Sequence, residues 1–386
     1  MDTSSPHIRP LEIDADRWIL QRRPRRPTDV LQAWNTADSC LLRELRGREV
    51  IQADTSVAIV NDAFGALGVA LASTGPQWWS DSHRAWRALT ENLADNDVDG
   101  TTIRHVRGDE APTGPIDVVV LKIPKSMATF EDQLLRLRPH LAEDAQVIAG
   151  SMIKNTPKRA YDLLEACIGP TTTSLGWKKA RLAFSSHNPA LVCAGGLAPK
   201  PSVVPGWDLP LESRPGVFSW EKLDHGARLL LDHLDGLRVT GPRPVVVDLG
   251  CGNGVLAFAL AKLYPDANIV GIDESYQAIA SAQDNSVSHG FDTGRVRFVV
   301  ADELGEVGLS DVTAIVCNPP FHHGHVVGDH LAVDLFHQSR KALRPGGTLL
   351  VVGNGHLRHH DILERLFATS VVVAANPKFT VVRAIL

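Results

Sequence analysis

Val245-Val246-Val247-Asp248-Leu249-Gly250-Cys251-Gly252-Asn253-Gly254 reads as a strand that runs into a glycine turn. The β-branched residues after Pro244 make a short apolar run of the kind that fills a buried parallel strand, and Gly250 ends it. Gly250, Gly252 and Gly254 remove Cβ atoms from the turn, which lets the backbone approach a ligand closely. A helix is predicted from about Val255 through Leu256, Phe258, Ala259 and Leu263. A ligand held there sits at the carboxyl end of a strand and at a helix N-terminus, where open α/β sheets bind nucleotides. Asp248 narrows the choice, because a carboxylate repels a pyrophosphate and suits a cationic amino-acid group. Val255 and Leu256 also stand where a dinucleotide fingerprint wants its last glycine. Both features favour S-adenosylmethionine, with its ammonium and sulfonium, over NAD.

Downstream, each strand ends on a residue fit for one part of such a nucleoside. Ala267 to Ile272 is a strand ending in Asp273-Glu274, carboxylates that can accept from ribose hydroxyls. Arg295 to Val300 is the next, with Asp302 placed to accept from the adenine amino group, and Thr313 to Cys317 delivers Asn318. A helix from Leu331 to Leu343, a turn at Arg344-Pro345-Gly346-Gly347 and a fifth strand from Thr348 to Val352 complete the pattern. Upstream, Gly216-Val217-Phe218-Ser219 and a helix through Leu223 to Leu231 open the domain, and Phe218 joins the cofactor set.

Asn318-Pro319-Pro320-Phe321 has the composition of a catalytic corner. An exocyclic amine on an aromatic base is a poor nucleophile, since its lone pair is delocalised into the ring. The Asn318 side-chain oxygen and the Pro319 carbonyl can take both N–H hydrogens and draw that lone pair outward. Pro319 and Pro320 fix the backbone so that no helix or strand claims these acceptors. Phe321 can stack on the base, leaving positioning and electrostatics to supply the rate. A paired target must be flipped out at a cost of roughly a few kcal/mol.

The chain has 386 residues, enough for two domains of ordinary size, with 44% hydrophobic and 22% charged residues. Its net charge of −5 confines nucleic-acid contact to local basic patches. Cys40, Cys167, Cys193, Cys251 and Cys317 are scattered without a CxxC pair, which argues for a reducing compartment and a cytoplasmic protein. No apolar run reaches membrane-spanning length. Arg22, Arg23, Arg25 and Arg26, among prolines, form a cationic arm that either contacts phosphates or is simply solvated. A helix is expected from Asp29 to Arg46, and a strand from Ser56 to Val60.

An internal repeat follows from that strand. Laying Val57 to Gly65 over the glycine-turn stretch puts Asn61 under Asp248 and Gly65 under Gly252, while Asp117 to Lys125 parallels Val312 to Phe321 with Lys122 in the place of Asn318. Residues 1–198 are therefore expected to be a degenerate copy of the same fold. Residues 216–386 are the intact one, and the proline-rich stretch 199–215 is read as a linker. Trp177, Lys178, Lys179 and Arg181 either grip a nucleic-acid backbone beside a stacking indole or form the solvated face of a hairpin.

These residues resemble the bacterial ribosomal RNA guanine-N2 methyltransferases that carry a degenerate N-terminal copy of the fold, and most closely the large-subunit (23S) members. The resemblance rests on Gly216 to Ser219, Val247 to Gly254, Cys317 to His322, Lys122 to Lys125, Gly169 to Thr173 and Trp177 to Leu182. It implies two tandem Rossmann-like class I methyltransferase domains, S-adenosylmethionine as cofactor and a guanine held by Asn318 to Phe321. It also implies ribosomal RNA as partner, naked or in a pre-ribosomal particle, with an N-terminal domain that helps to recognise it. The arginine arm is not a feature of the family. A monomer is expected. His322 and His323, with His325, His330 and His337, match no zinc spacing, so no metal is expected and the first two are assigned to the base pocket or to RNA phosphates. The alternatives are a 16S enzyme, an adenine N6 or protein glutamine N5 methyltransferase, and a non-catalytic ribosome-assembly factor.

Overall fold

The computed structural model describes residues 9–26, 31–193, 196–218, 220, 223–291, 294–319, 327–355 and 359–386, with 327–330 as backbone alone. The chain divides into two compact units, Met1–Ala198 and Pro199–Leu386. Among the described residues no helix is long and apolar enough to cross a membrane.

The first unit contains β1 (Leu11–Ile13), β2 (Asp16–Trp18), α1 (Thr36–Gly47), β3 (Val57–Val60), α2 (Ala66–Ala70), β4 (Gln77–Ser80) and α3 (His83–Asp95). It continues through β5 (Arg104–Arg107), β6 (Ile116–Lys122), α4 (Met127–Leu137), β7 (Leu141–Met152), α5 (Lys158–Cys167), β8 (Thr171–Thr173) and β9 (Ala180–Ser186). The second contains β10 (Lys200–Val204), β11 (Leu209–Ser213), α6 (His225–Leu231), β12 (Val245–Leu249), α7 (Val255–Leu263), β13 (Asn268–Asp273), α8 (Tyr276–Ser288) and β14 (Val296–Val300). After these come β15 (Val312–Cys317), α9 (Val327–Ala342), β16 (Leu343–Asn354), α10 (His359–Leu366), β17 (Thr369–Ala375) and β18 (Phe379–Ile385).

The two central sheets have one topology. Their orders are β5-β4-β3-β6-β7-β9-β8 and β14-β13-β12-β15-β16-β18-β17, each with five parallel strands followed by two antiparallel ones. Each sheet carries an apolar cluster on either face, so the central strands are apolar along their whole length. Even an irregularity is shared: Ile116↔Leu141 is followed by Val118↔Gln146 in one sheet, and Val312↔Leu343 by Ala314↔Thr348 in the other. The turn expected at Arg344 to Gly347 is thus a bulge inside the longer strand β16. The closing antiparallel pairs went unread because Thr369–Ala375 and Phe379–Ile385 carry no ligand turn or corner to mark them.

Strand register corrects the alignment of the repeat. Val60 faces Leu121 and Leu249 faces Cys317, while the Asn61 and Gly250 amides donate to the carbonyls of Trp79 and Ile272 at equivalent places in β4 and β13. Asn61 therefore stands where Gly250 does, two positions from the place under Asp248, and Gly65 matches Gly254. Both glycines are left-handed N-caps, at φ 85° and 90°. Lys122 does lie where Asn318 lies.

Two further expectations change. The first helix starts only at Thr36, because Asn35 and Asp38 make a reciprocal capping box there. The stretch 199–215 is no linker: β10 and β11 pair as a hairpin whose Val204, Leu209 and Leu211 are buried in the core of the second unit. Pro199, Pro205 and Pro215 lie just outside the strands, and Pro201 and Pro210 are the second residues of β10 and β11, each an edge strand of this two-stranded sheet, where proline is tolerated.

Candidate active site

Strand β12 leads out to β13 and β14 on one side, and the chain then crosses to β15 on the other, so the sheet order reverses between β12 and β15. That crevice is where an open α/β sheet binds its ligand. The glycine turn follows β12 and Asn318 follows β15 at the same level, and a Cβ on Gly250 would lie 3.8 Å from the Asn318 carbonyl oxygen. Phe218, Asp224, Gly250, Cys251, Gly252 and Asn253 face one cleft together with Asn318. The β10–β11 hairpin supplies a wall of it through Ser202, Val204 and Leu211. The Asn253 side-chain amide donates to Ser213 Oγ at 3.0 Å, which ties hairpin to turn.

Asp248 is fully buried within β12. One carboxylate oxygen accepts from the Ala257 amide of α7 at 2.9 Å, and the other has no partner among the described residues. Burial pushes its pKa up to about 7, with the Ala257 amide opposing and the nearby Asp273 adding to the rise. A buried carboxylate left short of one partner suits a cationic ligand group. Asp273 accepts from the amides of Gly252 at 2.9 Å and Ser275 at 3.0 Å, so it shapes the turn as well as offering lone pairs to a ribose. Glu274 stands beside it after β13, and Asp302 is buried two residues beyond β14. None of Asp248, Asp273, Glu274 and Asp302 is among the residues that line the cleft described above; they stand behind it and at the neighbouring strand ends. Burial raises the Cys251 and Cys317 thiols well above the ordinary range, as expected of packing residues rather than nucleophiles.

Gly252 and Gly254 serve different ends. Gly254, at φ 90°, would put a Cβ 2.6 Å from the Phe258 ring, so it belongs to the packing of α7. Gly252, at φ 55°, has nothing within 4 Å of that position, and its empty side opens on the cleft. The residue types around this crevice fit a sulfonium amino-acid nucleoside: a bare backbone turn lining the cleft, a buried carboxylate in β12 behind it, and carboxylates at the ends of β13 and β14 beside it.

At the corner, the Asn318 side-chain NH₂ donates to Asp224 Oδ2 at 3.1 Å. The same oxygen caps α6 by accepting from Gly226 and Ala227 at 2.7 and 3.0 Å. A carboxylate can only accept, so this contact fixes which way the Asn318 amide points. Among the described residues Asn318 Oδ1 is buried without a partner, an acceptor available to a donor. Pro319 is buried behind it. Pro320, Phe321, His322 and His323 lie outside the described residues. Asp224 was missed in the sequence, where an Asp before an apolar helix reads only as a cap, and the hairpin wall was missed because its prolines read as a linker.

In the first unit the equivalent corner is closed. Asn61 and Gln133 exchange side-chain hydrogen bonds at 2.8 Å, Asn61 also donates to the Lys122 carbonyl at 3.0 Å, and the Lys122 ammonium pairs with the nearly buried Asp38. Buried Asp62 accepts from the Leu67 and Gly68 amides, and burial raises its pKa to about 6. Gly68 matches Ala257, so each unit meets the same helix amide with a buried aspartate from a different chain position. The arginine arm is a strap on this unit: Arg23 pairs with Glu91, Arg25 with Glu91 at 3.0 Å and Asp95 at 2.6 Å, and Arg22 lies over the Phe64 ring. Arg26 ends the same segment. Trp177, Lys178 and Lys179 lie exposed at the turn into β9, with Arg181 just inside that strand.

Residues 9–189 match the RLMG N-terminal domain, and residues 208–383 match the methyltransferase small domain. The ribosomal RNA large subunit methyltransferase G of Streptomyces avermitilis is 40% identical over 373 residues, covering 95% of this chain and 97% of that one. Its namesake from Stutzerimonas stutzeri is 43% identical over 376 residues, covering 95% and 96%. Among solved structures, a T. thermophilus 16S rRNA N2 G1207 methyltransferase in complex with AdoMet and guanosine superposes with a TM-score of 0.76 at 22% identity, covering 98% of each chain, a likeness of fold. The second unit is a methyltransferase domain. At this identity over nearly its whole length, the chain belongs to the ribosomal RNA large subunit methyltransferase G family.

Proposed function

We propose that the chain transfers a methyl group to the exocyclic N2 of a guanine in large-subunit (23S) ribosomal RNA, with the second unit as the catalytic half and the first as an RNA-binding half. The observation that carries this reading is Asn318, which lines the cleft beside the glycine turn with its side-chain NH₂ donating to Asp224 and its side-chain oxygen buried without a partner among the described residues. Asp248, Gly250, Gly252, Asn253 and Asp273 hold the cofactor, with Phe218 at the rim and Glu274 and Asp302 at the strand ends. Bound there, S-adenosylmethionine supplies an electrophilic methyl on a sulfonium sulfur.

Asn318 Oδ1 takes one N–H of the guanine amine and the Pro319 carbonyl the other. This localises the lone pair on nitrogen, and the product gives its extra proton to solvent without a strong base. Phe321 stacks on the base. The choice of the large subunit draws support from the relatives' names, and the choice of guanine from the guanosine complex of the T. thermophilus N2 methyltransferase. An assembly factor without catalysis would not need the second unit to line a cleft with a glycine turn and Asn318 while the first unit's corner is filled by its own side chains.

The test is transfer of labelled methyl from S-adenosylmethionine to protein-free 23S and 16S rRNA. Label should enter 23S rRNA, and Asn318→Ala should abolish it while cofactor affinity stays within about threefold. Equal labelling of both RNAs would overturn the subunit assignment, and loss of cofactor binding would overturn the role given to Asn318.

A further inference from the structure

The turn between Trp177 and Ala180 breaks a local rule. Each of these two residues donates its amide to the other's carbonyl, at 2.9 and 2.8 Å, which closes a two-residue hairpin loop on Lys178 and Lys179. Both lysines are left-handed, at φ 43° and 68°. A loop of this kind favours Asn-Gly, since a side chain with a Cβ is strained in that region. Two consecutive lysines there are a departure from local preference, of the sort that marks a functional site.

The tip is held rigidly and its charge is free. The Ile153 amide donates to the Lys179 carbonyl at 2.9 Å, fastening the loop to the short turn at Ile153–Asn155 that carries exposed Lys154. Trp177 is 41% exposed, with the Lys178 ammonium 4.5 Å from its ring centre and the Arg43 guanidinium at 5.8 Å. Leu175 beside it is 92% exposed. Among the described residues, Arg43, Lys154, Lys178, Lys179 and Arg181 take part in no ion pair, unlike the arginines of the strap. A cluster of unneutralised cations around an exposed indole, on a chain of net charge −5, is complementary to a polyanion with aromatic bases.

We propose that the Lys178-Lys179 hairpin tip, with Trp177, Arg43 and Lys154, is a docking surface for the RNA substrate: the cations contact phosphates and the indole stacks on an unpaired base. The proposal rests on the reading of the chain as an RNA methyltransferase and names the element of the first unit that meets the RNA. It explains why the loop keeps two strained lysines where Asn-Gly would fold better.

The experiment exchanges strain for charge. Lys178→Asn/Lys179→Gly installs residues the loop prefers, so the full-length variant should melt at or above the wild-type temperature and bind S-adenosylmethionine as before. Its affinity for a 23S rRNA transcript should fall about tenfold at moderate salt, and the slope of log affinity against log salt should shrink by about two. Trp177→Ala should weaken binding further with the slope unchanged. An unchanged RNA affinity and salt slope in the double variant would overturn the proposal and leave the tip to a protein partner. A wild-type chain that binds the transcript through the tip yet transfers no methyl would overturn the enzyme reading instead, so the two failures are distinguishable.

Discussion

Asn318 shows how one residue can be legible by type and illegible by orientation. Its place after a buried strand and before two prolines marks an acceptor for an amine, but an amide presents either face until a neighbour chooses. Asp224 chooses, and it lies far away in sequence on a helix whose start it also caps. The two duties of its Oδ2 can be separated. Asp224→Ser keeps a cap and is too short to hold Asn318, so the melting temperature and cofactor affinity should stay near wild type while single-turnover transfer slows about 10- to 100-fold. Asp224→Asn keeps an oxygen in the same place and should restore most of the rate. Full activity in the serine variant would show that the amide orients itself without Asp224. Asp248, by contrast, stands out in the sequence as a candidate ligand group because a charge in an apolar strand has no packing reason to be there.

At the scale of elements, the glycine turn and its helix were plain in the sequence, whereas the reason for each glycine was not. The Cβ that Gly254 lacks would strike Phe258, whose ring packs against Phe291 and Phe298 at 4.9 and 5.4 Å. Gly254→Ala should therefore cost roughly 2–4 kcal/mol of stability, read by denaturant unfolding, from a left-handed alanine plus overpacking. Gly252→Ala should cost only about 1–2 kcal/mol and instead lose cofactor affinity, because its Cβ enters the cleft. If both variants lost stability equally and both still bound cofactor normally, the division of labour in the turn would be wrong. The β10–β11 hairpin was hidden for a related reason: proline-rich composition marks a break in helix propensity, and only pairing reveals that Val204 and Leu211 face the site. The arginine strap was hidden too, since the carboxylates that neutralise it, Glu91 and Asp95, lie on α3 and carry no motif.

For the whole molecule, the duplication was visible from two apolar strands followed by related turns, yet aligning letters placed the copies two residues out of step. Residue identities favoured setting Asn61 against Asp248, while backbone pairing sets it against Gly250. The shared strand order and the shared bulge preserve what the side chains have lost. One copy keeps Asn318 with a side-chain oxygen that is unpartnered among the described residues, and the other fills its corner with Asn61, Gln133, Lys122 and Asp38. This asymmetry is the physical basis for assigning chemistry to one half and RNA contact to the other. The most direct test of that account is the identity of the nucleoside formed when wild-type protein and labelled S-adenosylmethionine meet protein-free 23S rRNA that is then digested completely. The label should appear in N2-methylguanosine; label in N6-methyladenosine, or none despite cofactor binding, would refute guanine N2 transfer by the second unit.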